Sequence, residues 1–135
     1  MKIYKSINEF NTLKSNLPAL TLVPTMGNLH MGHISLIKAA KKINNPIIST
    51  IYINKLQFND KNDYLKYPKT IDDDIELLDK HGCDFLLIPD DSILENILTI
   101  KAPNKSKKLC GTDRPGHFDG VLTILNKFFN IINPH

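Results

Sequence analysis

Two imidazoles three residues apart, His30 and His33 in "LVPTMGNLHMGHISLIKAA", stand between an apolar run and a stretch with helical spacing. Each can donate a hydrogen bond, and a helix N-terminus adds free N–H groups and the positive end of its dipole. Together they suit a triphosphate held while negative charge builds in a transition state, where a well-aimed donor is worth about 3 kcal/mol. Gly27 permits a tight turn after the apolar run, and Gly32 permits a ligand close to the backbone. The pair by itself also describes half of a metal site, or solvated loop residues. Further along, Gln57 in "INKLQFND" offers both a donor and an acceptor, and Arg114 and His117 flank the turn residues Pro115 and Gly116 in "DRPGHF". The plain alternatives are an exposed loop amide for the first and a helix entry with a solvated arginine for the second.

These residues need elements to position them. Ser6 followed by Glu9 marks a helix start, with Ile7, Phe10, Leu13 and Leu17 at near-helical spacing. "ALTLVPT", stopped by Pro24, then "PIISTIYIN" and "CDFLLIP" read as three buried strands. Between them lie two helical patterns, one carrying Leu36, Ile37, Ala40 and Ile43, the other Ile71, Ile75 and Leu78. The second opens at Thr70, with Asp72, Asp73 and Asp74 in the first turn, where the helix dipole favours carboxylates. "YPKT" at 67–70 reads as the start of that helix, His81 before Gly82 as its end, and Cys83 as a small packing residue. In "VLTILNKFFNII", Val121, Leu122, Leu125, Phe128, Phe129 and Ile132 form a wide apolar face that needs a sheet to cover. Strand and helix alternate, which predicts βαβ units and a Rossmann-like α/β domain with a parallel sheet and flanking helices. Ligands of such sheets bind beyond the carboxyl ends of the strands, where the histidines fall.

A chain of 135 residues suits a single domain, residues 1–135. Its apolar share of 41% and charged share of 23% are ordinary for a soluble protein, and no apolar run is long enough to span a bilayer. Cys83 and Cys110 have neither C-x-x-C nor zinc spacing, and "MKIYKSINEF" has no signal-peptide core, so a cytoplasmic location, no membrane association and no protein-bound metal are expected. The net charge of +3 mildly favours anionic ligands, but the lysines are spread out and do not indicate nucleic acid.

A strand, a proline, a glycine and then H-x-G-H opening a helix resembles the H-I-G-H nucleotidyl-transfer superfamily, in which the second motif position varies. "LVPTMGNLHMGHISLI", "INKLQFNDKNDYLKYPKT", "GCDFLLIPDD" and "GTDRPGHFDGVLTILNKFFNIINP" are similar, in order and spacing, to successive motifs of the pantoate–beta-alanine ligase family, across nearly the whole chain. The resemblance implies a reaction in which ATP, with Mg2+, activates pantoate as an adenylate with release of pyrophosphate, and the amine of beta-alanine then displaces AMP. It implies a nucleotide loop of Met26, Gly27, Asn28, Leu29, His30, Met31, Gly32 and His33, with His33 as the catalytic proton donor. It further implies that Gln57 holds pantoate and later beta-alanine with Asn54 nearby, and that Arg114 and His117 line the pantoate side.

The chain departs from the family at Lys55, where a proline is usual, and at Asp119, where many members have arginine. Family members also run on beyond this length, with a Gly-x-Lys-Asp segment, a second substrate glutamine and a Ser-x-Arg loop that do not occur here. The expectation is therefore a domain truncated before the family's C-terminal part, inactive or nearly so by itself. Its last helix would lack a following strand, leaving an aromatic face partly exposed or covered by a second copy in a homodimer. Two other readings stay open: a non-catalytic nucleotide- or pantoate-binding module, and a different H-I-G-H nucleotidyltransferase.

Overall fold

The β-branched run at 47–51 forms the strand that the other elements flank. The computed structural model describes residues 1–107 and 110–135. Its elements are β1 (Lys2–Tyr4), α1 (Ile7–Lys14), β2 (Thr21–Thr25), α2 (Met31–Ala40), β3 (Ile47–Ile51), α3 (Lys61–Lys66), α4 (Ile71–Lys80), β4 (Phe85–Leu87), α5 (Cys110–Asp113) and α6 (His117–Ile132). Single 3-10 turns cover Lys41–Ile43, Lys55–Gln57, Asp91–Leu94 and Asn104–Lys107. The four strands lie in the order β1-β4-β3-β2, every pair parallel, with Thr21 opposite Ile47 and Thr25 opposite Ile51. This is the expected Rossmann-like α/β architecture.

Every residue of β3 is buried, because helices cover both faces of the sheet. Ile47 and Ile51 join Val23, Ile37, Ala40, Leu78 and Leu86 under α2 and α4. The alternate positions, Ile48 and Tyr52, join Tyr4, Phe10, Ile124, Phe128 and Ile132 under α1 and α6. Ser6 caps α1 as predicted, its Oγ accepting from Glu9 N at 3.1 Å, and Phe10 enters the core.

Four expectations need correction. A fourth strand, β1, pairs with β4; at three residues it is too short to show a period, although Tyr4 is wholly buried. Pro24 does not stop β2 but lies within it, exposed on a strand that is outermost among the described residues, where its missing N–H leaves the ladder to β3 intact. In α2 the buried stripe is Ile34, Ile37 and Ala40, while Leu36 is 53% and Ile43 56% exposed. Leu36 sits about 100° round the helix from Ile37, and beyond Ala40 the backbone tightens into a 3-10 turn that carries Ile43 outward. Finally, α6 starts at His117 and buries Gly120, Thr123, Ile124, Phe128 and Ile132, leaving Phe129 half exposed and Val121, Leu122 and Leu125 partly covered.

Polar contacts then fasten the loops to α6. Ile100 N donates to Thr123 Oγ1 at 2.9 Å, and Ala102 N to Asp119 Oδ1 at 2.7 Å, so the departure at Asp119 anchors a neighbouring segment. At Gly120 the helix lies directly on the turn Lys55–Gln57: a Cβ there would be 2.2 Å from Leu56 O and 2.7 Å from Gln57 N. Among the described residues no helix is long and apolar enough to cross a membrane. Gly120→Ala should force α6 off this turn and cost about 1–3 kcal/mol, as overpacking does. The urea midpoint reads the effect, and an unchanged midpoint would show that the two backbones are not in contact.

Candidate functional site

The carboxyl ends of β2 and β3 are joined by hydroxyls before the chain turns. Thr25 Oγ1 donates to Thr50 O at 2.7 Å and accepts from Gly27 N at 3.2 Å, while Tyr52 N donates to Thr25 O at 3.2 Å. The loop then passes through two left-handed residues, Gly27 (φ 81°) and Asn28 (φ 53°). A Cβ on Gly27 would lie 2.9 Å from Asp74 Oδ2, so glycine serves both the conformation and the close approach. Asp74 comes from α4 and accepts from Asn28 N (2.9 Å), Leu29 N (2.7 Å) and Thr70 Oγ1 (3.1 Å).

By sequence, Asp74 groups with the dipole-facing carboxylates Asp72 and Asp73. Those two are exposed, whereas Asp74 is only 2% exposed. A signal is present in the chain: Asp74 is three residues after Ile71 and four before Leu78, on the apolar stripe of its helix, where an unpartnered carboxylate would be costly.

The histidines do structural work first. His30 is the N-cap of α2, and its Nδ1 accepts from Gly32 N at 3.1 Å; His33 Nδ1 in return accepts from His30 N at 3.3 Å. Two imidazoles thus form a reciprocal cap of the kind usually made by a hydroxyl and a glutamate. A nitrogen that accepts carries no proton, so each neutral ring holds its hydrogen on Nε2, giving two donors on rings whose centroids are 4.2 Å apart. The space at Gly32 belongs to this cap: a Cβ there would be 2.7 Å from His30 Cε1, so the glycine admits the neighbouring ring and not, as expected, a ligand. Burial, and then the charge of His30, lower the His33 pKa below its ordinary 6.5, with Asp74 acting in the opposite direction.

Three clefts meet at Met26. One, of about 330 Å³, gathers His33, Asn54, Gln57 and Tyr67 against Val121, Leu125 and Phe128. Another, of about 290 Å³, lies at the ends of β3 and β4 among Gly27, Ile53, Thr70, Asp74 and Ile88. The third, of about 660 Å³, brings Gln57 and Tyr67 together with Arg114 and His117.

Asn54 is 1% exposed and its amide is fully engaged: Nδ2 donates to Gln57 Oε1 (3.0 Å) and Gly120 O (3.1 Å), and Oδ1 accepts from Leu56 N (3.2 Å). Gln57 therefore has its oxygen turned to Asn54, and among the described residues its two Nε2 hydrogens are left to offer a ligand. His117 Nδ1 donates to Gln57 O at 2.8 Å from the first turn of α6, while Arg114 is exposed beside it. The segment "DRPGHF" is thus both a helix entry and a cleft wall. Lys55 occupies the first position of its turn, and its Nζ lies 3.0 Å from Asp91, which also accepts from Tyr52 OH.

Tyr67, which by sequence reads as a helix opener, lines two of the clefts and donates to Gly27 O at 3.5 Å. It packs edge-on to Phe58, 5.7 Å away, and burial raises its pKa. The recurrence of aromatics at Phe58, Tyr64 and Tyr67 is the signal that could have found it. Among the described residues no group of three or more His, Cys, Asp or Glu side chains could hold a metal ion.

Known proteins resemble this chain over nearly its whole length. The family model described as pantoate-beta-alanine ligase matches residues 2–135. The pantothenate synthetase of Neisseria meningitidis serogroup C is 39% identical over 138 residues, covering 99% of this chain and 50% of its own. That of Legionella pneumophila strain Corby is 40% identical over 141 residues, covering 99% and 56%. The chain spans about half the length of the curated relatives it matches. Among solved structures, the pantoate-beta-alanine ligase of Francisella tularensis, described as complexed with beta-gamma ATP and beta-alanine, aligns with a TM-score of 0.92 at 39% identity over 99% of this chain and 54% of that one. The pantothenate synthetase of Thermus thermophilus aligns with a TM-score of 0.85 at 32% identity, over 99% and 50%.

The cap makes stability depend on pH. Because the folded pKa of His33 is lowered, the unfolded chain binds the proton first; the residue's contribution is complete above 6.5 and is lost as pH falls through the folded value. Glutamine at this position can return the same bond to the N-cap N–H without titrating. His33→Gln should keep the urea midpoint at pH 7.5 and flatten its decline toward pH 5; equal slopes for the two proteins would show that His33 does not cap α2.

Proposed function

The chain belongs to the pantoate-beta-alanine ligase family, and from that premise we propose that it carries the nucleotide- and pantoate-binding part of a site that joins pantoate to beta-alanine at the expense of ATP. In this reaction a carboxylate oxygen of pantoate attacks the α-phosphorus of ATP and pyrophosphate leaves. The amine of beta-alanine then attacks the acyl carbon of the adenylate, losing a proton as AMP departs. The observation that carries the reading is the reciprocal histidine cap, which leaves two Nε2–H donors on the helix N-terminus that follows β2 of a parallel sheet.

Each chemical role follows from what the side chains have left to give. His30 and His33 would donate from Nε2 to phosphate oxygens, with residues 26–33 as the nucleotide loop and His33 as the catalytic group. A neutral His33 suits this task, since the arriving phosphates, and not a fixed proton, would supply the counter-charge that draws its pKa upward. Gln57 would donate to oxygens of pantoate, held in place by Asn54, while Val121, Leu125 and Phe128 offer an apolar wall to its branched carbon skeleton. Arg114 and His117 would line the same side. Mg2+ would accompany ATP as part of the substrate, held by its triphosphate oxygens and water. The ATP analogue and beta-alanine named for the Francisella tularensis ligase support ATP and beta-alanine as ligands here.

Chemical-shift mapping with Mg-ATP should perturb the amides of residues 27–35 before all others, and saturation with those amides unmoved would refute the nucleotide assignment. Gln57→Ala should weaken pantoate by about 1–3 kcal/mol and leave ATP nearly unchanged; equal losses for both ligands would mean that Gln57 does not select pantoate. These 135 residues alone should release pyrophosphate at close to background with pantoate and ATP. By resemblance, the family's lysine and second glutamine lie in the half of the relatives this chain does not span, and each such donor is worth about 10²- to 10³-fold. Pantoate-dependent turnover abolished by His33→Ala would show instead that the site is complete.

A further inference from the structure

We propose that Asp74 is a positioning residue for nucleotide binding: its buried carboxylate holds the backbone at Asn28 and Leu29, so that His30 and His33 present their Nε2–H groups to one triphosphate. The inference rests on the nucleotide reading above and adds to it a residue from another helix, 46 positions away from Asn28 in sequence.

Successive N–H groups that follow left-handed residues form a concavity able to hold an anion. After Gly27 and Asn28 that concavity is filled from within the protein, Asp74 Oδ2 taking Asn28 N and Oδ1 taking Leu29 N. A third donor, Thr70 Oγ1, shares Oδ2, and the first turn of α4 adds its dipole, so the buried carboxylate is repaid for lost hydration. The fit is close on both sides, since a Cβ on Gly27 would stand 2.9 Å from that carboxylate. Reorienting the loop would therefore break two charge-assisted bonds at once, and the residue directly after Leu29 is His30, whose backbone N–H and ring both belong to the cap. The loop, the cap and α2 thus form one unit, packed on α4 through Leu29 and Ile37 and hydrogen-bonded to it through the Asp74 carboxylate. The same carboxylate raises the proton affinity of His33 against the effect of burial.

Asp74→Asn keeps the shape but replaces one acceptor with an NH₂ that opposes a backbone N–H. It should raise the dissociation constant of Mg-ATP by about tenfold or more, expose the amides of Asn28 and Leu29 to hydrogen exchange, and lower the His33 titration midpoint seen by imidazole NMR. Pantoate affinity should stay within about twofold, which a general loss of packing would not allow. Thr70→Val removes one donor of three and should cost about two- to threefold in Mg-ATP affinity with the His33 midpoint unmoved; if Asp74→Asn does not fold, the absence of this loss would overturn the proposal. Wild-type affinity for Mg-ATP in Asp74→Asn, with the two amides still protected, would overturn it directly. Failure of the wild-type protein to bind Mg-ATP would instead refute the nucleotide reading, while exchange and the His33 midpoint still decide whether Asp74 sets the loop.

Discussion

The parallel pairing of β2 with β3 is the constraint on which the rest of the structure depends. Parallel neighbours cannot be joined by a tight turn, so the chain must cross back over the sheet, and α2 is that crossover. The loops leaving both strands consequently emerge at the same edge. One carries the histidines and the other carries Asn54 and Gln57. The hydroxyls of Thr25 and Thr50 sharpen the arrangement, because both strand ends are tied together just before the loops part. Had the two strands been antiparallel, Gln57 would sit at the far end of the sheet from His33.

Within that edge, the same atoms build the fold and the site. A helix start needs acceptors for its first N–H groups, and here two imidazoles provide them through Nδ1. The choice of nitrogen is what matters chemically: the capping bond settles the tautomer, and the tautomer makes Nε2 a donor. Asn54 shows the same economy. By using its whole amide on Gln57, Leu56 and Gly120, it keeps Gln57 in one orientation and couples that orientation to the seat of α6.

α6 closes the arrangement from the other face of the sheet. It packs Ile124, Phe128 and Ile132 against the core through residues four apart, and its first turn reaches Gln57 through His117. The absence of a side chain at Gly120 sets how near it can come. The two positions that depart from the family pattern fit this frame locally: Lys55 begins its turn, where no helical N–H bond is due, and Asp119 secures the segment at 101–102.

The sequence by itself determined what depends on local order. Alternation of strand and helix, the capping of α1, the H-x-G-H loop and the family motifs around Gln57 are all periodicities or short spacings, and they were legible because the chain near a residue decides them. What only the tertiary structure decided is what needs two distant segments to meet. Pro24 can continue a strand because the bonds to β3 come from its alternate neighbours, among them Thr21 and Thr25, and Lys2–Tyr4 is a strand because β4 lies beside it. Which of Leu36 and Ile34 is buried depends on how α2 is rotated on the sheet. Asp74 illustrates the division most clearly: its place on an apolar stripe could be read from the sequence, but its partners, Asn28 and Leu29, could not, since no local rule brings the start of α4 to the end of β2. A buried charge is tolerated only where donors converge on it, and such convergence is a property of the folded chain.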